Sequence, residues 1–539
     1  MFFWEKISSA VPNLPSLRVI NSYRQKLDES TAVFKTLGEA AGAQVSFVHE
    51  LETAVAEYAV NRGMTGEQLR SQPILVKIEG DGCVVSTRTS WTTLSFLLID
   101  SSRRLQSHTL HRLLAVVEVS ENYFQIRESL KDLIDEVNSV VKRGSVSLEG
   151  QEVPVIVCLG SDLKFLLMVQ GLQSASSRHP CPFCRINLKE RSRAGANTEE
   201  CNKPPLLRTL KNMREDGIVE EFGMKVVPLF NIEPAFVVPD ILHMRIRVVN
   251  RLVDGLIVEA MDKDNRDKVT NLNTKSTHVE AIVQAINSCG VKFELWQDER
   301  KGKNFTCIQG DSCERLLEML PERLTGKLSP ETEKKIISLW KMLSRIFDHF
   351  EHNTTGESIE QEIAKFHKTY LELGERKHKG YGAERMTPYM HILVCHASNK
   401  HKEFKCLGWF SSEGIEKKND ILKHLHHARS NKWNVAADAL KLAKRLENSA
   451  HVTTSRAYKK HDRSYWVEGM IEESRTNRAR SAPEMEREDT PPACIEDMDA
   501  VELRTELKAA GISTKVKSVP KLREMLRKER EKRCFQQST

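Results

Sequence analysis

Two apolar runs early in the chain each end at an aspartate, and they constrain the fold more than any other feature. The first run spans 73–80 and is followed by Asp81, and the second spans 153–161 and is followed by Asp162. Short apolar runs rich in β-branched residues are typical of buried strands, and aspartate favours the turns and helix caps that follow them. The sequence therefore predicts an α/β fold with two carboxylates near strand ends.

The order of elements around these runs is more specific. Strands are predicted at 73–81, 92–99, 113–119 and 153–159, an amphipathic helix at 121–142, and a further helix at 163–173. Strand, strand, strand, helix, strand, helix is the order of a ribonuclease-H-like domain. Residues 71–174 are accordingly predicted to be the first part of a ribonuclease-H-like core.

A third acid completes a catalytic pattern. Glu416 lies far downstream, at the head of a helical pattern over 411–428, and a further helix is predicted at 434–447. Two carboxylates at strand ends and a third on a late helix is the arrangement with which nucleases and transposases hold two divalent metal ions over a phosphodiester. This pattern makes Asp81, Asp162 and Glu416 candidate catalytic, metal-binding residues, with ordinary turn and helix-cap roles as the alternative for the two aspartates.

The other regions are assigned by periodicity and composition. The predicted division is a helical N-terminal or dimerisation region at 1–70, a large helical zinc-binding insertion at 175–405, the catalytic helix region at 406–450, a partly disordered linker at 451–495, and a small helical DNA-binding module at 496–539.

Composition narrows the class of protein. The chain has 539 residues, 40% hydrophobic and 29% charged, and a net charge of +7. That charge permits a polyanionic partner, but the mixed signs confine any nucleic-acid footprint to local patches. We expect neither a signal peptide nor a membrane span, because no apolar stretch is long enough. The twelve cysteines are scattered, so reduced thiols are expected.

A metal site is predicted from cysteine and histidine spacing. Cys181 and Cys184 lie three apart on a turn and can chelate one zinc ion. His391 and His396 have the spacing of a zinc-binding histidine pair and are the best candidates to complete the tetrahedron. Thiol redox chemistry is the alternative for the cysteine pair, although the preceding 176–180 lacks the strand that a glutaredoxin-like site needs.

Several motifs, taken in order, resemble the catalytic core of the large subunit of the V(D)J recombinase and its Transib transposase relatives. The likeness spans about 60–435. The matching positions are Val76, Lys77, Gly80, Asp81 and Gly82; Asp162, Gly171 and Leu172; Cys181 and Cys184; Asp240, Leu242 and His243; His391 and His396; and Trp409, Ser412, Glu413, Gly414, Glu416 and Asn419.

The resemblance implies specific roles. It makes Asp81, Asp162 and Glu416 the catalytic acids for two Mg²⁺ or Mn²⁺ ions, with Glu413 the competing third acid. Cys181, Cys184, His391 and His396 become the ligands of one structural Zn²⁺, and His243 comes near the scissile phosphate.

The same resemblance implies an activity and its partners. The expected chemistry is nicking of double-stranded DNA followed by hairpin formation and strand transfer, within a homodimer located in the nucleus. Whether an accessory subunit takes part is left open. A domesticated, non-cutting DNA-binding protein and a thiol oxidoreductase stay as alternatives.

The C-terminal tail resembles a SAP domain, a small helical DNA-binding module. Its two predicted helices lie around 498–512 and 519–527, and basic residues such as Lys508, Lys521 and Arg523 favour phosphate contact. A hairpin for protein contact is the alternative.

Overall fold

The computed structural model describes residues 15–449 with short gaps, and a few residues of the C-terminal part. The gaps are 30–31, 87–88, 101–104, 106, 188–189, 191–199, 268–276, 299–301, 353–357, 376–379 and 430–432. In the C-terminal part the described residues are Leu503, Leu507, Ile512 and 518–526. The chain divides into two compact units, Met1–Thr453 and Thr454–Thr539.

The first unit is built on one mixed eight-stranded sheet. Its order is β1-β2-β5-β4-β3-β7-β6, and β8 also pairs with β7. β7 runs parallel to β3 and β8, whereas the other pairings are antiparallel. The strands are β1 (Phe34–Lys35), β2 (Gly42–Gln44), β3 (Ile74–Val84), β4 (Ser90–Leu98), β5 (Arg112–Val117), β6 (Ser145–Leu148), β7 (Gln151–Ser161) and β8 (Val237–Pro239). The predicted α/β fold class is confirmed.

The central strands of the sheet are apolar in sequence because helices cover the sheet. β5 is buried along its length after Arg112, and β4 is buried from Trp91 to Leu97. Strands buried on both faces need nearly continuous apolar sequence, which these segments supply. The strands that flank the two aspartates were predicted, whereas β6 and β8 were not.

The helices of the N-terminal half are shorter than the sequence suggested. They are α1 (Leu17–Glu29), α2 (Phe47–Arg62), α3 (Gly66–Ser71), α4 (Tyr123–Ser129), α5 (Lys131–Arg143) and α6 (Leu163–Val169). The single helix predicted over 121–142 is broken at Leu130, whose backbone leaves the helical range with φ −106° and ψ 24°.

The N-terminal region is not helical throughout, contrary to the prediction for 1–70. β1 and β2 interrupt it, and β2 pairs with the edge of β5. Pairing satisfies backbone groups that an open strand edge would leave exposed, so tertiary contacts override the local helical pattern.

A mostly helical region follows α6, as predicted. Its helices are α7 (Leu210–Val219), α8 (Ile241–Arg266), α9 (Thr277–Ser288), α10 (Asp311–Arg323), α11 (Glu333–His352), α12 (Ile359–Glu375), α13 (Pro388–Cys395) and α14 (Ala397–Phe404). It also contains β8 and a hairpin of β9 (Leu295–Asp298) and β10 (Gly302–Phe305). The long α8 packs against α9, α10, α11 and α13.

The chain then returns to the sheet. α15 (Glu413–Arg429) packs against β3, and α16 (Val435–Ser449) packs against β5 and β2. Both helices agree closely with the predicted 411–428 and 434–447. No described helix is long and apolar enough to cross a membrane.

The second unit contains a small leucine cluster. Leu503, Leu507, Leu522 and Leu526 are buried together, and 519–526 is helical. The predicted linker at 451–495 lies outside the described residues, as does most of the first predicted helix.

Candidate functional site

Asp81 lies on β3, opposite Thr93 of β4. Its carboxylate accepts a hydrogen bond of 2.7 Å from the side-chain amide of Asn419 on α15. The Thr93 hydroxyl donates to the Asn419 amide oxygen at 2.9 Å. Asn419 therefore fixes α15 to β3 at the position of the first acid.

Asp162 follows the last residue of β7 and caps α6. Its side chain accepts a hydrogen bond of 2.7 Å from the backbone N–H of Phe165. Gly80 permits the close approach of α6 to β3, because a Cβ there would lie 2.0 Å from the Phe165 ring. The parallel pairing of β3 with β7 brings Asp162 to the same side of the sheet as Asp81, and the two carboxylates interact electrostatically.

Glu416 reaches the same place from the first turn of α15. Its Oε1 lies 3.5 Å from Nε2 of His243 on α8. Asp240, the N-cap of α8, pairs with His243 Nδ1 and also accepts a 2.9 Å hydrogen bond from the Ser412 N–H. Asp240 therefore ties the start of α8 to the start of α15.

Burial raises the pKa of all three acids. It raises the pKa of Asp81 to about 6, against the opposing Asn419 hydrogen bond and with help from the charges of Asp162 and Glu121. Burial likewise raises the pKa of Glu416 to about 7 and that of Asp162. Such shifts mark carboxylates that lack enough positive charge nearby.

His243 is a partly buried cation within this cluster. Burial lowers its pKa, but the hydrogen bond and charge of Asp240, together with Glu416 and Asp162, outweigh burial and raise the pKa to about 9. An imidazolium at neutral pH thus lies among the predicted catalytic acids.

Glu413 occupies different surroundings. Its carboxylate lies 3.9 Å from Arg245, which also pairs with Glu351 at 2.8 Å and Glu314 at 2.7 Å. Glu413 therefore shares Arg245 with two closer carboxylates, whereas Glu416 lies near His243 and is acted on by the charge of Asp81. Of the two candidates for the third acid, Glu416 is the one at the carboxylate cluster.

Glu121 is a fourth carboxylate that sequence reasoning missed. Its side chain is 3% exposed, pairs with Lys164 at 2.7 Å, and accepts a 2.8 Å hydrogen bond from the Gly82 N–H. It raises the pKa of both Asp81 and Asp162. It lies in the loop after β5, where no spacing or motif distinguished it.

A fully buried ionic group underlies the cluster and was also missed. Glu79 pairs with Lys77 and with His111, and all three side chains are 0% exposed. Burial acts to raise the pKa of Glu79, but its contacts with His111 and Lys77 outweigh burial and lower that pKa to about 2. Lys77 also donates to the Ser411 carbonyl at 3.2 Å, so this group anchors the segment before α15. Residues 77, 79 and 81 share one face of β3, so the group lies beside Asp81.

The four predicted zinc ligands come together. Cys181, Cys184, His391 and His396 are all buried, with their donor atoms within 4.8 Å of one another. Sγ of Cys181 is 3.4 Å from Nε2 of His396, and Sγ of Cys184 is 3.3 Å from Nε2 of His391. A tetrahedral zinc ion would hold sulfur and nitrogen about 3.5 Å apart, given bonds of about 2.3 and 2.0–2.1 Å. The group fits a metal such as zinc.

Neighbouring side chains orient these ligands. Arg208 is buried and donates to the carbonyls of Cys181 at 2.9 Å and Cys184 at 3.1 Å, which fixes the turn. Nδ1 of His396 is 2.9 Å from the side-chain amide oxygen of Asn202, which leaves Nε2 to face the thiols. Such partners commonly set the tautomer of a ligating histidine. As expected, 176–180 is not a strand.

No family model matches the sequence, and no curated protein is significantly similar to it.

Proposed function

We propose that this chain is a metal-dependent DNA transposase or recombinase with a ribonuclease-H-like core and a zinc-braced helical insertion. In this function Asp81, Asp162 and Glu416 bind two Mg²⁺ or Mn²⁺ ions. Such ions, when bound by these residues, would supply the Lewis acidity that activates water or a 3′-hydroxyl and stabilises the leaving oxygen in nicking and transesterification.

One observation carries the proposal. Three acids from β3, the β7–α6 junction and α15 converge on one imidazolium, although they are far apart in sequence. Each has a raised pKa, and Glu121 adds further negative charge. Clustered carboxylates of this kind are stabilised by divalent cations, which they bind through oxygen.

The adjoining cavity is suited to a polyanion. It has a volume of about 770 Å³ and includes Asp162 and His243 in its lining. The basic residues Lys164, Lys225 and Arg247 also line it, beside an apolar wall. Basic groups next to a carboxylate cluster would bind phosphates and hold one of them over the metal ions.

The Cys/His group supports the proposed architecture. It joins a turn shortly after α6 to the end of α13, so a bound metal would close the helical region on itself. The chain leaves that region close to α15, which carries Glu416. Each thiol contacts an imidazole nitrogen as well as its partner thiol, and this mixed donor set favours metal binding over the redox alternative.

The test is a DNA-nicking assay with the full chain. We expect cleavage with Mg²⁺ or Mn²⁺ and a loss of about 100–1,000-fold in Glu416→Gln, since one anionic ligand is removed at nearly constant volume. Asp81→Asn and Asp162→Asn should behave in the same way, with DNA binding retained.

Glu413→Gln is the matched control, because it lies one helical turn from Glu416 and should reduce cleavage far less. Wild-type protein that binds DNA but never cuts it would favour the domesticated alternative. An essential Glu413 beside a dispensable Glu416 would reject the assignment of the third acid.

A further inference from the structure

Two further buried cysteines adjoin the four zinc ligands. Cys201 lies in the single helical turn Glu200–Asn202, and Cys395 is the last residue of α13. Their thiols and a ring nitrogen of His391 lie within 4.8 Å of one another. The Cys201 thiol is also in hydrogen-bonding contact with Cys184. The two groups share His391 and form one continuous cluster of thiols and imidazoles.

This cluster holds more donors than a single zinc ion uses. A structural zinc ion is almost always four-coordinate, and Cys181, Cys184, His391 and His396 already supply that number. Cys201 and Cys395 are then surplus thiols, buried at 0% and 3% exposure. Ordinary packing does not require two more thiols at this particular place.

His391 provides a second, independent observation. Its Nδ1 is buried and has no hydrogen-bond partner among the described residues, and the whole residue is 1% exposed. A ligating histidine normally donates its second ring nitrogen to a carboxylate, carbonyl or water. His396 follows that rule through Asn202. Nδ1 of His391 is therefore available to bind a further partner.

We propose that the cluster binds a second thiophilic metal ion of the zinc class. Cys201 and Cys395 supply two thiolates to it, and His391 bridges the two ions with one ring nitrogen on each. A water molecule would complete the tetrahedron of the second ion. Each thiol that binds releases its proton to solvent, as does the bridging imidazole, so no electron is transferred. The inference does not depend on the proposed DNA cleavage.

Metal content of the full chain, purified under reducing conditions with zinc, tests the proposal. We expect about two zinc ions per wild-type chain and about one in the double variant Cys201→Ser/Cys395→Ser. The matched control is Cys289→Ser/Cys313→Ser, which removes two buried thiols elsewhere and should keep both ions. One ion in the wild type, or two in Cys201→Ser/Cys395→Ser, would overturn the proposal.

A second measurement avoids variants that fail to fold. Wild-type protein loaded with cadmium should give two separate cadmium NMR resonances, one for each ion. A single resonance at saturation would overturn the proposal as well.

Discussion

At the residue scale, the carboxylate cluster carries more negative charge than the described side chains neutralise. His243 faces Glu416, Asp162 and Asp81, but Asp240 pairs with its imidazolium most closely. The acids respond with raised pKa values. Without metal, the folded protein therefore favours the protonated form of these acids. A bound divalent cation would favour the deprotonated form instead.

This charge imbalance predicts how stability depends on pH. Because the folded pKa of Asp81 is about 6, above its ordinary value of 3.8, the folded state binds more protons than the unfolded state between these values. Glu416 behaves likewise between 4.5 and about 7. The free energy of unfolding without metal should therefore fall as pH rises from about 4 to 7.

Mg²⁺ should restore that stability, because it binds the deprotonated acids. Thermal unfolding with and without Mg²⁺ measures the effect, and we expect stabilisation at pH 8 that vanishes near pH 5. In Glu416→Gln the stabilisation should be smaller at pH 8. Equal Mg²⁺ effects at both pH values would contradict this account.

Asn419 should affect metal binding and cleavage indirectly, without contacting the metal ions itself. It positions Asp81 through its amide and is itself positioned by Thr93. We expect Asn419→Ala to reduce Mg²⁺ affinity or cleavage by about 10–100-fold, as is common for residues that orient metal ligands. Isothermal titration with Mg²⁺ measures this, and Asn265→Ala on an exposed surface of α8 should have no effect.

At the element scale, the close approach of α15 to the sheet depends on a glycine. A Cβ at Gly414 would lie 1.9 Å from Nε2 of the buried His111. Gly414→Ala should therefore displace α15 or His111 and destabilise the protein by about 1–3 kcal/mol, the usual cost of overpacking. Chemical denaturation gives the change in the free energy of unfolding.

Gly66→Ala is the control for this change. Gly66 is exposed at the start of α3, and a Cβ there would come no closer than 3.3 Å to side-chain ends. It should leave stability nearly unchanged. If both substitutions had equal effects, the contact between Gly414 and His111 would not limit the position of α15.

At the scale of the whole molecule, the Cys/His group joins two segments separated by most of the helical region. His396→Ala should release metal and destabilise the chain, since the binding free energy of a structural metal contributes directly to folding. Metal analysis with thermal unfolding measures both effects. His367→Ala, which removes a buried histidine outside the group, should keep the metal.

The second unit offers a separate prediction. Deleting 454–539 should leave the first unit folded, because Met1–Thr453 is compact by itself. If the tail binds DNA as its SAP resemblance implies, the deletion should weaken binding and flatten its salt dependence, since fewer phosphate contacts release fewer counterions. Unchanged affinity at every salt concentration would assign the tail to protein contact.

The sequence by itself determined what local patterns encode. Apolar runs placed β3, β4, β5 and β7, helical periodicity placed α15 and α16, and spacing singled out the four Cys/His ligands. Each of these signals lies within a short stretch of chain, where burial and covalent geometry impose a period or a fixed spacing. The acids at strand ends were identifiable for the same reason.

The tertiary structure alone decided which distant segments meet. The pairing of β2 with β5 and of β8 with β7, the approach of Glu121 to Asp81, and the contact of Cys201 with Cys184 leave no local trace in the sequence. The burial of Lys77, Glu79 and His111 also leaves no local trace in the sequence. A buried ionic group is stable only once all of its partners are assembled. Such contacts follow from packing of the whole chain, and a sequence read segment by segment does not contain them.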